Sequence, residues 1–414
     1  MTSPAIFGSM LVPHNLRRFR VVLPIVCLVS MGPVGCSVYP RVPCPPRVTP
    51  ALGEARDGYG VVNLLFATDR RVTGAAKPAL MFGVERARSV AYGRCGVSIP
   101  EAHRLGGMES AGLSGRDPKR GVLLLSAEII DQCQGEEPPT AFVKELRERV
   151  ALSPRKEIFV FVHGYAATFD EAARVTAQLA HDVHFDGVPI LYSWPTQGLY
   201  LSYLVDSANA EWTVPYFVDF LETLVRDAGA ERIHLMAHSM GTRVLARGLR
   251  DYVVRNGSSP GRPNDDPAFA SASRPAFDQV ILAAADIDAE IFERDFVPSL
   301  LQAARRSTIY MSSKDVALGL SLRLNGYFRL GQSDLPHVDL AAFKRIDVVD
   351  VTAFDRDFLG HFYHNRCPRV LQDLAAVLQT DAAPEDFDEP TEAEPEADKP
   401  ARRLQRSFYY RMNP

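Results

Sequence analysis

The chain has 414 residues, 46% hydrophobic and 23% charged, with a formal net charge of −4. This is the composition of a folded protein with a sizeable core, and the lack of any net basic field argues against a nucleic-acid partner. The length fits two or three domains, or one large α/β domain with extended ends.

Residues 1–35 read as a signal peptide. The basic stretch "HNLRRFR" precedes the apolar run "VVLPIVCLVSMGPVG", which Pro24 and Pro33 interrupt and which is too short to cross a bilayer comfortably. Met10 is an alternative start. Cys36 follows "PVG", and the junction resembles a bacterial lipoprotein cleavage site. That resemblance implies lipidation of Cys36 and attachment to a membrane of the bacterial cell envelope, facing the periplasm. Residues 36–58, with "SVYPRVPCPPRVTPALGEARDG", are proline-rich and read as an extended spacer.

Residues 59–150 form a β-rich section. "VVNLLFAT", "SVAYGRCGVSI" and "GVLLLSAEII" read as strands, and "TAFVKELRERVA" as a helix with Thr140 at its N-cap. Of the remaining cysteines, Cys95 and Cys133 are candidates to pair in an oxidising compartment, beside Cys44 and Cys367. No cysteine or histidine spacing has the form of a zinc site, so no structural metal is expected.

Strand and helix alternate through residues 151–380. "EIFVFVH", "VPILYSW", "RIHLMAH", "QVILAAAD", "STIYMSS" and "IDVVDVT" are apolar runs of the kind buried on both faces. Amphipathic helices separate them: "TFDEAARVTAQLAHDV", then about 212–227, 242–255, 289–304 and 316–323, with a last helix over 367–379. This alternation predicts a mostly parallel sheet with helices on both faces. Residues 256–275 read as a surface loop. The acidic, proline-rich tail 381–414 reads as disordered, with a basic, aromatic end.

The chemistry centres on "HLMAHSMGTRVL". Ser239 follows a strand and precedes a helix, with Ala237 and Gly241 two positions to either side. A turn this tight needs small residues there, and the pattern is G-x-S-x-G with alanine in the first place. Such a turn exposes a serine as nucleophile and sets the Met240 N–H at a helix N-terminus, where it favours an oxyanion. The plainer reading of Ser239 is an N-cap. In "FVFVHGYAATF" the Tyr165 N–H is the second oxyanion donor, and His163 reads as a shaper of the loop rather than a base.

A serine hydroxyl needs a base, and the base an orienting acid. The acid is Asp315, with Asp286 the alternative; Asp288 and Asp315 both also read as helix N-caps. Downstream histidines are His337, His361 and His364. His361 is the preferred base and His364 the alternative, while His238 diverges from its neighbour Ser239. Trp194, in "YSWPTQG", reads equally as a pocket wall or an apolar plug; Trp212 is the chain's other tryptophan.

The run from "VFVHGY" through "ILYSWPTQG", "AEWTVPYFVDFL", "HLMAHSMGTRVL", "LAAADIDAEIF" and "YMSSKDVAL" to "GHFYH" resembles the DUF900 family of α/β-hydrolases. "LLFATDRRVTG" and "SVAYGRCGVSIP" extend the likeness forward, to about residues 60–380. The resemblance implies an α/β-hydrolase fold and places serine, acid and histidine on Ser239, Asp315 and His361. The expected activity is hydrolysis of a small-molecule or lipid-like ester, or a thioester or amide, through an acyl-enzyme. No cofactor and no metal is needed, and no protein partner is indicated. The alternative is an envelope-associated binding protein that keeps the scaffold without catalysis.

Overall fold

The chain starts its sheet with a short strand, β1 (Gly53–Arg56), paired antiparallel with β2 (Tyr59–Val72). β3 (Phe82–Pro100) pairs antiparallel with β2, and β4 (Leu124–Cys133) antiparallel with β3. Alternation then begins: α1 (Thr140–Leu152), β5 (Glu157–Val162), α2 (Phe169–Asp182), β6 (Val188–Ser193), α3 (Tyr203–Trp212) and α4 (Val214–Asp227). β7 (Arg232–His238), α5 (Gly241–Gly257) and β8 (Phe277–Ala283) follow. A π turn at Phe292–Phe296 leads into α6 (Val297–Ala303), then β9 (Ala304–Met311), α7 (Val316–Asn325) and β10 (Ile346–Asp350). α8 (Tyr363–Arg366) and α9 (Pro368–Gln379) close the fold. This computed structural model describes residues 41–379 apart from 112–114, 135–136, 258–274, 337, 341–342 and 344. Cys36 and the signal, His337, most of the 256–275 loop and the 381–414 tail lie outside the described residues.

The strands form one 10-stranded sheet in the order β10-β9-β8-β7-β5-β6-β2-β3-β4, with β1 beside β2. Pairing is parallel from β10 as far as β2. β5 shows why its sequence is apolar throughout. Ile158, Val160 and Val162 join one core, under α4 and α5, while Phe159 and Phe161 join the other, under α2 and α9. A strand covered on both sides alternates its side chains between two dry layers. Each buried Phe contributes about 1.5–3 kcal/mol. The chain runs from β5 outward to β6, then returns to the other side of β5 for β7. Such a reversal leaves a crevice beyond the C-terminal ends of the two strands, where α/β sheets bind their ligands.

Several expectations need correction. Part of the 36–58 stretch is folded onto the sheet rather than extended as a spacer. β1 pairs with β2, Ala51 and Leu52 are buried, and the Cys44 N–H donates to the His103 carbonyl at 2.9 Å. Thr140 is the first residue of α1, not its cap; the Asp131 carboxylate of β4 takes the Phe142 N–H at 2.7 Å instead. The helix expected over about 212–227 is α4, and α3, which ends at Trp212, is a further helix that the sequence reading did not give. Pro215 has no N–H to continue α3, so α4 starts afresh after Thr213. Cys95 and Cys133 do not pair, and all four described cysteines are free. Cys133 faces Val90, while Cys95 faces Ala127 five positions further on, about 17 Å away along the strand. Disulfide geometry needs far closer Cα atoms.

Candidate active site

Ser239 lies in the turn from β7 to α5, with φ at 52°. A non-glycine residue there is strained by about 1–3 kcal/mol, and its surroundings must enforce it. They do so from three sides. The Ser239 N–H donates to the Ala283 carbonyl of β8 at 3.0 Å, and the Ser239 carbonyl accepts from Thr242 N–H at 3.1 Å and Asp286 N–H at 3.3 Å. Beneath the turn, a Cβ on Gly241 would stand 2.3 Å from the His163 carbonyl oxygen and 2.7 Å from that of Val162. Only glycine lets α5 start so close to β5. A Cβ on Gly164 would likewise stand 3.0 Å from Ser239 Cβ. The turns after β5 and β7 are therefore in contact, and Ser239 sits at the reversal point of the sheet.

Met240 follows at the N-terminal end of α5, and no described backbone carbonyl takes its N–H. Tyr165 follows Gly164, and its ring meets Tyr203 edge-on at 5.7 Å. The Asp206 carboxylate holds this loop, accepting from Ala166 N–H at 3.0 Å and from Gln197 N–H at 2.8 Å. It thereby ties the loops after β5 and β6 together.

The histidine loop between β10 and α8 brings His361 to Asp315. Nδ1 lies 2.7 Å from Asp315 Oδ2, with both side chains buried. The other Asp315 oxygen accepts the Leu318 N–H at 2.9 Å, so the N-cap reading of this residue also holds. Nε2 of His361 is buried without a hydrogen-bond partner among the described residues. Burial pulls the His361 pKa down, but the Asp315 charge and hydrogen bond outweigh it, so the imidazole is more basic than usual. His361 packs against His238, the residue before Ser239, with ring centroids 4.7 Å apart; His238 Nε2–H donates to the His361 carbonyl at 3.0 Å. No Ser239–His361 hydrogen bond is formed, as is common before substrate tightens such a site.

The alternatives occupy other positions. Asp286 lies among cations: its oxygens accept from Arg243 Nη2 and Arg329 Nε at 2.9 Å each, from Ser321 Oγ at 2.6 Å and from the Tyr203 hydroxyl at 2.7 Å. Burial opposes its ionisation, yet the two arginines keep its pKa below the ordinary carboxyl value. It has no oxygen left for an imidazole. His364 stacks on His238 with centroids 3.9 Å apart, and neither of its nitrogens has a partner among the described residues. Burial, followed by the charge of His361, holds it well below the usual imidazole pKa, as a neutral ring in the core. Asp288 caps the turn at Ala289–Ile291.

His163 shapes its loop. Its Nδ1–H donates to the Gly164 carbonyl at 2.8 Å, and burial and then Arg70 push its pKa down to about 3. Trp194 is a buried plug: it stacks on His163 and donates to the His163 carbonyl at 2.7 Å. The sequence reading missed Arg70, at the end of β2. Its fully buried guanidinium donates to Ser193 Oγ at 2.9 Å, to the Ala167 carbonyl at 2.7 Å and to the Thr196 carbonyl at 3.1 Å. It thus grips the loops after β5 and β6 from below. The available signal was an arginine directly after the apolar run "LLFATD". Asp206 had no signal at all.

A family model described as "Alpha/beta hydrolase of unknown function (DUF900)" matches residues 139–378. No curated protein matches the chain.

Proposed function

The chain belongs to the DUF900 family of α/β-hydrolases of unknown function, and from that membership we propose that it is a serine hydrolase acting on ester bonds. Ser239 attacks the substrate carbonyl, and its proton passes to Nε2 of His361. Asp315 holds the proton on Nδ1 and stabilises the imidazolium. The N–H groups of Met240 and Tyr165 receive the tetrahedral oxyanion, each contributing on the order of 3 kcal/mol. The imidazolium then protonates the leaving alcohol, and water repeats the sequence to release the acid.

One observation carries this reading: a buried His361–Asp315 pair whose far nitrogen has no partner among the described residues, packed against His238, the residue before a serine held at positive φ. A purely structural histidine has no need of that combination. An ester with an apolar acyl part is favoured by the surroundings. Leu199 and Leu201 just before α3 and Leu204 on it are exposed, as are Leu324 on α7 and Tyr327 just after it, and Tyr203 and Asn325 join the two elements at 3.2 Å. Apolar groups crowded beside a crevice suit a lipid-like substrate.

The test is labelling by a fluorophosphonate, with turnover of p-nitrophenyl esters of graded chain length. Labelling of the wild type, lost in Ser239→Ala, is expected. A folded protein that neither labels nor turns over any ester would instead be a binding scaffold.

A further inference from the structure

A second cluster of reactive side chains lies away from the crevice. α2 leaves the Ser239 rim at Phe169 and runs 14 residues, so its last turn stands about 20 Å further on. There Cys44, His181 and Asp182 converge, all buried, with their ligand atoms within 4.8 Å of one another. Cys44 Sγ is 4.0 Å from His181 Nδ1, which is 3.0 Å from Asp182 Oδ1.

We propose that Cys44, His181 and Asp182 bind a zinc ion that clips the start of the described chain to α2. Thiolate, imidazole and carboxylate are the ligand types zinc accepts. Tetrahedral zinc bonds of about 2.3 Å to sulfur and about 2.0 Å to nitrogen set those two atoms about 3.5 Å apart. The observed 4.0 Å closes to that with a small side-chain shift.

The neighbouring groups suit a bound ion. Coordination through Nδ1 requires the Nε2–H tautomer of His181: the Pro45 carbonyl, 3.3 Å from Nε2, would accept that hydrogen, and the Arg47 N–H, which points at the same nitrogen from 3.4 Å, would have to turn aside. Asp182 Oδ2 is held by Gly106 N–H at 2.8 Å and Gln178 Nε2 at 2.5 Å. His103 Nε2 reaches Oδ1 at 2.8 Å, and Glu109 supports the other nitrogen of that ring at 2.7 Å. This second layer orients the carboxylate, and a water would complete the tetrahedron. The expectation of no structural metal rested on local spacing. These ligands come from positions 44, 181 and 182, which only the fold brings together.

The full chain, purified without a metal-affinity tag, would be loaded with zinc, dialysed and measured by elemental mass spectrometry. One zinc per chain is expected in the wild type and almost none in Cys44→Ser. Cobalt loading should give a thiolate charge-transfer band that Cys44→Ser lacks. Chelation should lower the Tm of the wild type by several degrees and leave the variant unchanged. If Cys44→Ser does not fold, zinc protection of wild-type Cys44 from iodoacetamide, read by peptide mass spectrometry, takes its place. Absence of retained zinc and of the cobalt band in the wild type overturns the proposal. Equal zinc in folded Cys44→Ser, or unprotected Cys44 in zinc-loaded wild type, does so as well. Ester turnover below the unfolding temperature should survive chelation; its loss from folded protein would overturn the structural role of the ion.

Discussion

His361 Nδ1 stands 2.7 Å from Asp315 Oδ2, while Asp315 Oδ1 caps α7 through Leu318 N–H at 2.9 Å. One carboxylate therefore orients an imidazole and is itself held by a helix end. Asp315→Asn is expected to lower kcat roughly 10⁴-fold, because an amide stabilises the wrong tautomer and no imidazolium. The amide oxygen can still cap α7, so the unfolding free energy should change by only about 1 kcal/mol. Steady-state kinetics beside urea denaturation separates the two effects, and unchanged kcat would remove Asp315 from the mechanism.

The pH profile follows from the same pair. Asp315 leaves His361 more basic than an ordinary imidazole despite burial. The base works only when neutral, so kcat/KM should fall as pH drops through a pKa above the usual histidine value. In Asp315→Asn the opposing burial is unrelieved and this acid limb should move to lower pH. A limb at the same pH in both proteins would show that another group sets it.

The two histidines of "GHFYH" should separate cleanly. His361→Ala is expected to cost at least about 10³-fold in kcat. His364→Phe keeps a ring stacked between His238 and Phe161, and its turnover should stay within a few-fold of wild type. The reverse ranking in ester hydrolysis would transfer the base to His364.

Gly241→Ala drives a methyl group into the His163 carbonyl. It should destabilise the protein by about 1–3 kcal/mol through a forced backbone shift and weaken fluorophosphonate labelling of Ser239. A variant with wild-type stability and labelling would show that the turn has slack the structure does not display.

Arg70→Lys replaces a planar fork by a point donor. The Ser193, Ala167 and Thr196 acceptors cannot all be kept. A loss of about 2–4 kcal/mol is expected, from buried acceptors left without donors. Denaturant midpoints measure it, and an unchanged midpoint would mean that water replaces the guanidinium.

The parallel strands and the Ser239 turn were legible because their signals are local. Alternating layers make a strand continuously apolar, and a tight turn demands small residues at 237 and 241. Asp315 and His361 followed from chain order at successive strand ends. Which of His361 and His364 reaches a carboxylate is set by the fold, which three positions of sequence do not encode. Arg70 and Asp206 act through partners as far as 126 residues away, so nothing near them in sequence shows what they hold. The free Cys95 and Cys133 are a matter of register: both lie on one hairpin, but on opposite faces and far apart along it.

Arg70 and Asp206 brace the crevice walls from within, whereas the exposed leucines at 199, 201 and 204 lie outside both sets of hydrogen bonds. Substitutions at 199, 201 and 204 can therefore change the apolar surface there without loosening the buried ties that fix the loops after β5 and β6.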